Sequence, residues 1–291
     1  MKPTVFVQAN DRQLFGAKIS AYSFKRNSPT PDDFDVRIIN IRDFPRLMER
    51  DRSILRDGYV RPWDPDDLQS FTPLRFAPPT LTGFERRAII VDPDCFAVGD
   101  VAELFARDMN GKAIFAVWQE PQSGKEARWA SSVLLLDCAK LRHWDFDNLI
   151  DGLFAQAFDY LPWNRLELED PSTIGRLEPE WNEFDSLRPS TRILHTTRRR
   201  TQPWKTGLPV DYTLHEAGPW KFVESLWRPR YARHPDPSVE AYIYSLLAEM
   251  LDTGEVTADD LRREMAADHM RHDSLKLVDR YRGWEPFRQA A

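Results

Sequence analysis

Short apolar runs rich in β-branched residues alternate along this sequence with amphipathic segments of helical period. The strand-like runs lie at residues 5–7, 36–41, 88–91, 113–118, 132–136 and 191–194. Between the first two, Leu14, Ala17, Ala21 and Phe24 follow spacings of three and four residues, which are typical of one face of a helix. The alternation predicts βαβ units, and hence an α/β fold with a mostly parallel, Rossmann-like central sheet flanked by helices.

Residues 237–291 have a different, helical character. Val239, Tyr242, Leu246 and Met250 recur at helical spacing, and a second amphipathic segment follows Thr257. We therefore divide the chain into an α/β domain, residues 1–236, and a helical C-terminal appendage, residues 237–291. The apolar face of the appendage is expected to pack on the protein itself, with a homo-oligomeric contact as the second choice. Acidic residues around the first helix disfavour a membrane surface.

Composition excludes several classes of protein. The formal net charge of −6 argues against a nucleic-acid binder, which needs a positive field. No apolar stretch is long enough for a transmembrane segment, and the N-terminal run is not typical of a signal peptide. Two cysteines, Cys95 and Cys138, are too few for a disulfide framework and indicate a reduced, cytoplasmic protein.

Paired carboxylates follow the most apolar strand. The run at residues 88–91 suits a strand buried on both faces, and it ends in Asp92-Pro93-Asp94. Two like charges this close raise each other's pKa, and a divalent cation removes that conflict. Oxygen ligands suit Mg²⁺ or Mn²⁺. The plain alternative is a strand-end turn, because Asp and Pro are common turn residues.

Two further segments carry polar groups at predicted strand ends. Ser131 and Ser132 precede an apolar run, where small hydroxyl residues can bond a ligand or simply form a strand edge. His195 ends the last strand and is followed by a basic stretch that contains Arg198 and Lys205. Imidazole is a common metal ligand, and these cations can clamp a diphosphate. The alternative is a strand-end histidine beside a solvated basic loop.

In chain order, these segments resemble the metal-dependent glycosyltransferases of the GT-A fold, close to the retaining family-8 group and its bacterial relatives. The resemblance covers about residues 4–207. Its motifs are the stretches at residues 71–79, 87–94, 99–105, 129–132 and 174–182, together with His195 and Gln202-Pro203-Trp204. The family usually carries a basic residue where Gln202 stands.

The resemblance implies roles for particular residues. Asp92, Asp94 and His195 match the family's metal ligands, for Mn²⁺ or Mg²⁺. Residues matching the donor-binding positions are Ala9, Asn10 and Asp11 at the base, Arg75 facing the donor, and Ser131 and Ser132 at the sugar pocket, with Arg198 or Lys205 as the basic residue beside the diphosphate. Asp170 lies near a carboxylate that is sometimes proposed to act beside the anomeric carbon.

The function that the resemblance implies is glycosyl transfer from a nucleotide-sugar, usually a UDP-sugar, to an acceptor hydroxyl, with retention expected. The acceptor, a glycan, a lipid-linked sugar or a small molecule, is left open. Two alternatives come from other classes. One is a metal-dependent nucleotidyl or phosphoryl transferase, which shares the paired carboxylates. The other is a non-catalytic relative that acts as an interaction protein through its helical tail.

For several other residues that could belong to a functional site, a structural role is the preferred prediction. His269 and His272 are predicted to lie on a solvated helix face rather than to bind a metal. Cys95 is predicted to be a small buried residue, not a nucleophile. Trp220, Trp227 and Tyr231 fit either an acceptor platform or packing against the C-terminal helices, and packing is preferred.

Overall fold

A computed structural model describes residues 2–121, 126–211 and 229–287 of the chain. Its β-strands are β1 (Thr4–Ala9), β2 (Asp35–Asn40), β3 (Ser53–Arg56), β4 (Tyr59–Pro62), β5 (Arg87–Val91), β6 (Cys95–Ala97), β7 (Ile114–Gln119), β8 (Arg128–Asp137), β9 (Ile174–Leu177), β10 (Glu183–Phe184) and β11 (Ile193–His195). The α-helices of these residues are α1 (Leu14–Arg26), α2 (Pro78–Leu81), α3 (Ala102–Ala106), α4 (Phe146–Phe154), α5 (Tyr160–Asn164), α6 (Pro237–Asp252), α7 (Ala258–Ala266) and α8 (Ser274–Tyr281).

The central sheet has six strands in the order β2-β1-β5-β8-β7-β9. β1 runs parallel to β2 and β5, and β7 runs parallel to β9, whereas β8 is antiparallel to both of its neighbours. The predicted α/β class with a mostly parallel central sheet is therefore confirmed. The apolar run at residues 88–91 is buried in the middle of this sheet, as a strand covered on both faces must be.

Side-chain alternation along the strands builds a core on each face of the sheet. Val5 and Ile89 point to one face, where they pack with Phe24 of α1. Phe6 and Ile90, one residue further along their strands, point to the other face and pack in the cluster that contains Trp144. Both faces are thus apolar, and polar side chains can gather only where the strands end.

The segment at residues 43–80, which is rich in Arg, Asp and Pro, contains a hairpin that the sequence analysis did not predict. β3 and β4 pair antiparallel across a two-residue turn at Asp57 and Gly58, both of which have a positive φ. Asp-Gly is a strong signal for this type of turn, because its geometry requires left-handed backbone at both positions. The signal was present in the sequence, but the surrounding Arg, Asp and Pro residues obscured the strands.

The last predicted strand belongs to a second, small sheet. β11 ends at His195, as expected, but it pairs with β10 in parallel and with β6 antiparallel, away from the central sheet. In this register His195 lies opposite Cys95, the first residue of β6. The small sheet therefore brings His195 beside the turn that follows β5.

The C-terminal helices pack on the protein itself, as the sequence analysis favoured. The stripe of α6 predicted from Val239 to Met250 is buried, and it lies in one cluster with Phe15 and Ile19 of α1. The Tyr242 hydroxyl donates a hydrogen bond to the Ala97 carbonyl of β6. Because α6 covers α1 in this way, the C-terminal helices share one apolar core with α1. The boundary at residue 236 stays a prediction.

Truncation after Ser238 is expected to destabilise the chain, because it uncovers Phe15 and Ile19. Exposing two such side chains costs at least about 3 kcal/mol, which corresponds to a fall of about 6 to 12 °C in melting temperature. Thermal unfolding followed by circular dichroism measures this. Tyr242→Phe is the milder companion variant and should cost about 1 kcal/mol. A truncated chain that is monodisperse and equally stable would contradict the packing argument.

Candidate functional site at the sheet edge

A cavity of about 750 Å³ lies where the carboxyl ends of β1 and β5 meet the small sheet. Because β8 is antiparallel to β5, the start of β8 reaches the same edge. The structure thereby brings together seven of the residues predicted from the sequence, all of which line the cavity: Arg75, Asp92, Asp94, Ser131, Ser132, His195 and Arg198. They come from separate parts of the chain, so the fold alone assembles them.

His195 is held in a defined orientation. Its Nδ1 lies 3.0 Å from the Asn182 side-chain oxygen and 3.1 Å from the Ser132 hydroxyl. The Asn182 amide donates to the same hydroxyl at 2.9 Å. The Asn182 oxygen is an acceptor, which fixes the proton on Nδ1 and turns Nε2 toward Asp94, 3.3 Å from its Oδ1. This is the arrangement by which proteins orient a metal-binding histidine.

Three side chains form a group with metal-ligand geometry. Among the described residues, Asp94, Cys95 and His195 have ligand atoms that all lie within 4.8 Å of one another. Burial alone would lower the pKa of His195, but the adjacent Cys95 and the Asp94 carboxylate together outweigh it and hold the pKa well above its ordinary value. Burial raises the pKa of the Cys95 thiol to about 11. The carboxylate and the imidazole thus face each other as a strongly coupled pair.

Asp92 lies in the same cavity but has different partners. Its Oδ1 accepts a hydrogen bond from Nη2 of Arg75 at 2.7 Å, and the Gln8 amide donates to the same oxygen. The Arg75 side chain is only 4% exposed and that of Asp92 16%, so the cation of this pair is buried and its carboxylate is partly open to the cavity. Asp92 therefore balances a buried cation and is not in the group formed around Asp94. Its role as a third metal ligand stays a prediction.

Arg75 also connects the sheet edge to α5. Its Nη1 donates to the Ser131 hydroxyl at 2.9 Å and to the side-chain oxygen of Asn164, and Ser131 donates to the Asn164 carbonyl at 2.7 Å. Asn164 lines the cavity. Sequence reasoning missed this residue, because no local motif marks the end of α5 as part of a site.

The sequence analysis also did not predict Asp185, which lines the cavity together with His195. Burial acts against its charge, but the His234 ring, the Thr197 hydroxyl and the Arg198 backbone N–H outweigh this and lower the pKa of Asp185. Nε of Arg198 lies 3.7 Å from the same carboxylate. Asp185 thereby ties the basic loop after β11 to the wall of the cavity. Gln202, for its part, places its amide nitrogen 3.4 Å from Asp94.

Two predicted site residues lie elsewhere. Lys205 is fully buried and forms an ion pair with Asp211, so it does not reach the cavity. The short helix at Pro203–Lys205 turns its side chain into the protein. Asp170 caps the turn at Pro171–Thr173 through a hydrogen bond from the Ser172 backbone. That turn precedes β9 at the amino edge of the sheet, whereas the cavity opens at the other edge.

The residues predicted to hold the base shape a loop next to the cavity. Ala9 is buried in β1, and Asp11 forms an ion pair with Arg42. The Asn10 amide donates to the Asp67 carbonyl at 2.9 Å and to the Ser70 hydroxyl at 3.1 Å. Their neighbours Gln13, Leu68 and Gln69 line the cavity. Contact between residues 9–11 and a base stays a prediction.

The remaining candidates behave as surface or core groups. His269 and His272 lie in the connection between α7 and α8, not on a helix face as predicted, and their rings contact the carboxylates of Glu264 and Asp268 at 3.0 and 2.7 Å. Tyr231 is buried in a cluster with Leu208 and Val210. Trp220 and Trp227 lie outside the described residues. Within the described ranges, no helix combines the length and the apolar character needed to cross a membrane.

No model of a known protein family matches the sequence, and no curated protein matches it. Among solved structures, the chain is similar to the galactosyltransferase LgtC in complex with donor and acceptor sugar analogs, at 12% identity and a TM-score of 0.46 over 69% of this chain and 89% of LgtC. It is also similar to the glycosyltransferase GlyE of Streptococcus pneumoniae, at 16% identity and a TM-score of 0.48 over 80% and 67% of the two chains. A third similar structure is mouse xyloside xylosyltransferase 1, at 13% identity and a TM-score of 0.45 over 68% and 98%. At these TM-scores the similarity assigns no role to any residue of this chain. The description of the site therefore depends only on the geometry given above.

Proposed function

We propose that the chain is a metal-dependent glycosyltransferase of the GT-A type, which transfers a sugar from a UDP-sugar or a related nucleotide-sugar to an acceptor hydroxyl. The observation that carries the proposal is the pairing of Asp94 with His195, with Oδ1 and Nε2 3.3 Å apart, in the wall of a cavity of about 750 Å³. A cavity of this volume falls in the range of small-molecule sites, about 300–1,000 Å³. The sequence resemblance points to the same chemistry.

The donor atoms of the site fit a divalent cation. Metal–ligand bonds of about 2.0 to 2.3 Å place ligand atoms up to about 4.6 Å apart, close to the 4.8 Å limit within which Asp94, Cys95 and His195 lie. Asp94 and His195 would hold the ion, which we propose to be Mn²⁺, or Mg²⁺ in its place. When bound, such an ion supplies positive charge that stabilises a departing diphosphate.

The chain's own residues supply the rest of the chemistry. Arg198 lines the cavity and would donate hydrogen bonds to the diphosphate, with Asp185 orienting it. Ser131, Asn164 and Arg75 form one hydrogen-bonded group that also lines the cavity, where they would position the donor sugar. Hydrogen-bond donors that are held in place in this way need no reorganisation when charge develops on the leaving group.

We propose retention of configuration, with the acceptor hydroxyl approaching from the side of the leaving group. This route needs no enzyme nucleophile, because a phosphate oxygen of the donor takes the acceptor's proton. The position of Asp170 at the other sheet edge supports it, since the carboxylate considered for a double displacement is remote from the cavity. A transition state with oxocarbenium character is expected, as in other glycosyl chemistry.

A thermal-shift panel of nucleotides and nucleotide-sugars, with and without Mn²⁺, tests the proposal. At 100 times its Kd a ligand adds about 2.7 kcal/mol, so UDP or a UDP-sugar should raise the melting temperature by about 5 to 10 °C, and only with the metal. Metal-dependent turnover of a nucleoside triphosphate would indicate a nucleotidyl or phosphoryl transferase instead. Absence of any metal-dependent nucleotide binding would indicate a non-catalytic relative.

A further inference from the structure

Cys95 belongs to the same group of ligand atoms as Asp94 and His195. In the antiparallel pair of β6 with β11, Cys95 lies directly opposite His195. Directly opposite residues of an antiparallel pair present their side chains on the same face, with Cβ atoms about 4.5–5.5 Å apart. The register therefore explains why the Cys95 sulfur, the His195 nitrogen and the Asp94 oxygen all lie within 4.8 Å of one another.

The surroundings of Cys95 differ from those of its two neighbours. Asp94 and His195 line the cavity, whereas Cys95 is fully buried behind them. Its thiol makes a weak hydrogen bond, 3.8 Å long, to the Ser132 carbonyl and also interacts with the His195 ring. A ligand entering from the cavity would thus meet the carboxylate and the imidazole first, and the thiol at the back of the site.

A set of one oxygen, one nitrogen and one sulfur ligand does not match a hard cation. Mg²⁺ takes oxygen ligands almost exclusively, and Mn²⁺ also favours carboxylate, carbonyl and water. Zn²⁺ and Co²⁺ accept thiolate and imidazole, and a site with three protein ligands leaves a fourth position open. The chemistry of the donor atoms therefore separates two classes of divalent ion.

We propose that Cys95 is a third ligand at this centre for thiophilic divalent ions, so that Zn²⁺ and Co²⁺ bind more tightly than Mg²⁺ or Mn²⁺. On binding, the S–H bond of Cys95 breaks, a sulfur–metal bond forms and the proton passes to solvent, with no change of oxidation state. The inference rests on the proposed function only for the use of Asp94 and His195 as metal ligands. It predicts that Zn²⁺ competes with Mn²⁺ for one site.

Absorption spectroscopy of the full chain titrated with Co²⁺ tests the thiol directly, because a thiolate bound to Co²⁺ gives a charge-transfer band in the near ultraviolet. The band is expected in the wild type and in Cys138→Ser, and it should be absent in Cys95→Ser. Cys138 is the matched control, since it is also buried but lies at the opposite end of β8. Zn²⁺ affinity should fall at least about 100-fold in Cys95→Ser, because removal of a direct ligand costs more than the roughly 10- to 100-fold lost with a supporting partner, while Mn²⁺ affinity stays within about twofold.

Three outcomes would overturn the proposal: wild-type protein that shows no cobalt–thiolate band, a band that persists in Cys95→Ser, or equal Zn²⁺ affinity in both proteins. The wild-type spectrum decides the first without any variant, and Cys95→Ala repeats the comparison if the serine variant does not fold. Mn²⁺-dependent UDP binding, measured in the same samples, keeps the proposed function separate. UDP binding without a cobalt–thiolate band would contradict the role of Cys95 as a ligand and leave the proposed function intact. A band without UDP binding would contradict the proposed function and leave the role of Cys95 intact.

Discussion

Replacement of Asp94 by asparagine is expected to weaken Mn²⁺-dependent binding of UDP by at least about 100-fold, because removal of a direct ligand costs more than removal of a supporting partner, which costs about 10- to 100-fold. The carboxylate faces His195 at 3.3 Å and is partly open to the cavity, so the fold should be preserved. Isothermal titration with UDP in the presence and absence of Mn²⁺ measures the effect.

Matched variants make the Asp94 experiment specific. His195→Ala should act in the same direction, whereas His269→Ala removes a surface imidazole and should leave UDP binding unchanged. Asp170→Asn should also have no effect, because that carboxylate lies at the other edge of the sheet. Undiminished metal-dependent binding of UDP in Asp94→Asn would contradict the role of Asp94 in the site. A loss of UDP binding in Asp170→Asn as large as that in Asp94→Asn would also contradict it.

Replacement of Asp92 by alanine is expected to lower stability rather than to abolish metal binding alone. The substitution leaves the Arg75 guanidinium, which is 4% exposed, without its carboxylate partner. Breaking a buried pair from one side costs about 3 to 5 kcal/mol, which corresponds to about 6 to 20 °C in melting temperature. Denaturant unfolding gives the free energy, and a cycle made of Arg75→Gln, Asp92→Ala and the variant with both substitutions gives the coupling between the two residues.

An exposed ion pair provides the control for Asp92. Arg165 and Glu167 are 3.9 Å apart and largely solvated, so Glu167→Ala should cost less than about 1 kcal/mol. If Asp92→Ala unfolded at the same denaturant concentration as Glu167→Ala, the ion pair of Arg75 with Asp92 would contribute no more to stability than an exposed pair. Asp92 would then be available as the metal ligand that the sequence suggested.

Local patterns were sufficient to predict the central strand and to place both Asp94 and His195 at strand ends. A continuous β-branched run has to be buried on both faces, so the charges that follow β5 had to lie at a sheet edge. His195 was likewise placed at a strand end. The pairing of β11 with β6 involves residues far apart in sequence, and it is a tertiary contact that periodicity does not encode. The proximity of Cys95 to His195 was therefore not foreseen.

The position of Asp170 shows how one missed strand misplaces a residue. α5 ends at Asn164 beside the cavity, and β9 begins at Ile174 parallel to β7. Because parallel strands start at the same edge, the chain must return to the amino edge between these elements. Asp170 lies on that return. Had the run at residues 174–177 been predicted as a strand, its direction would have excluded Asp170 and drawn attention to Asn164.

The link between Asp185 and His234 has a consequence for the order in which the site forms during synthesis. His234 follows His195 by about 40 residues, a delay of about 2 to 8 s at ribosomal rates of about 5–20 residues per second. Until it emerges, the carboxylate that ties down the Arg198 loop lacks its buried imidazole partner. Asp236, which caps α6 and accepts from the Leu187 backbone, arrives still later. All strands of the central sheet are therefore synthesised before the residues that complete this wall of the cavity.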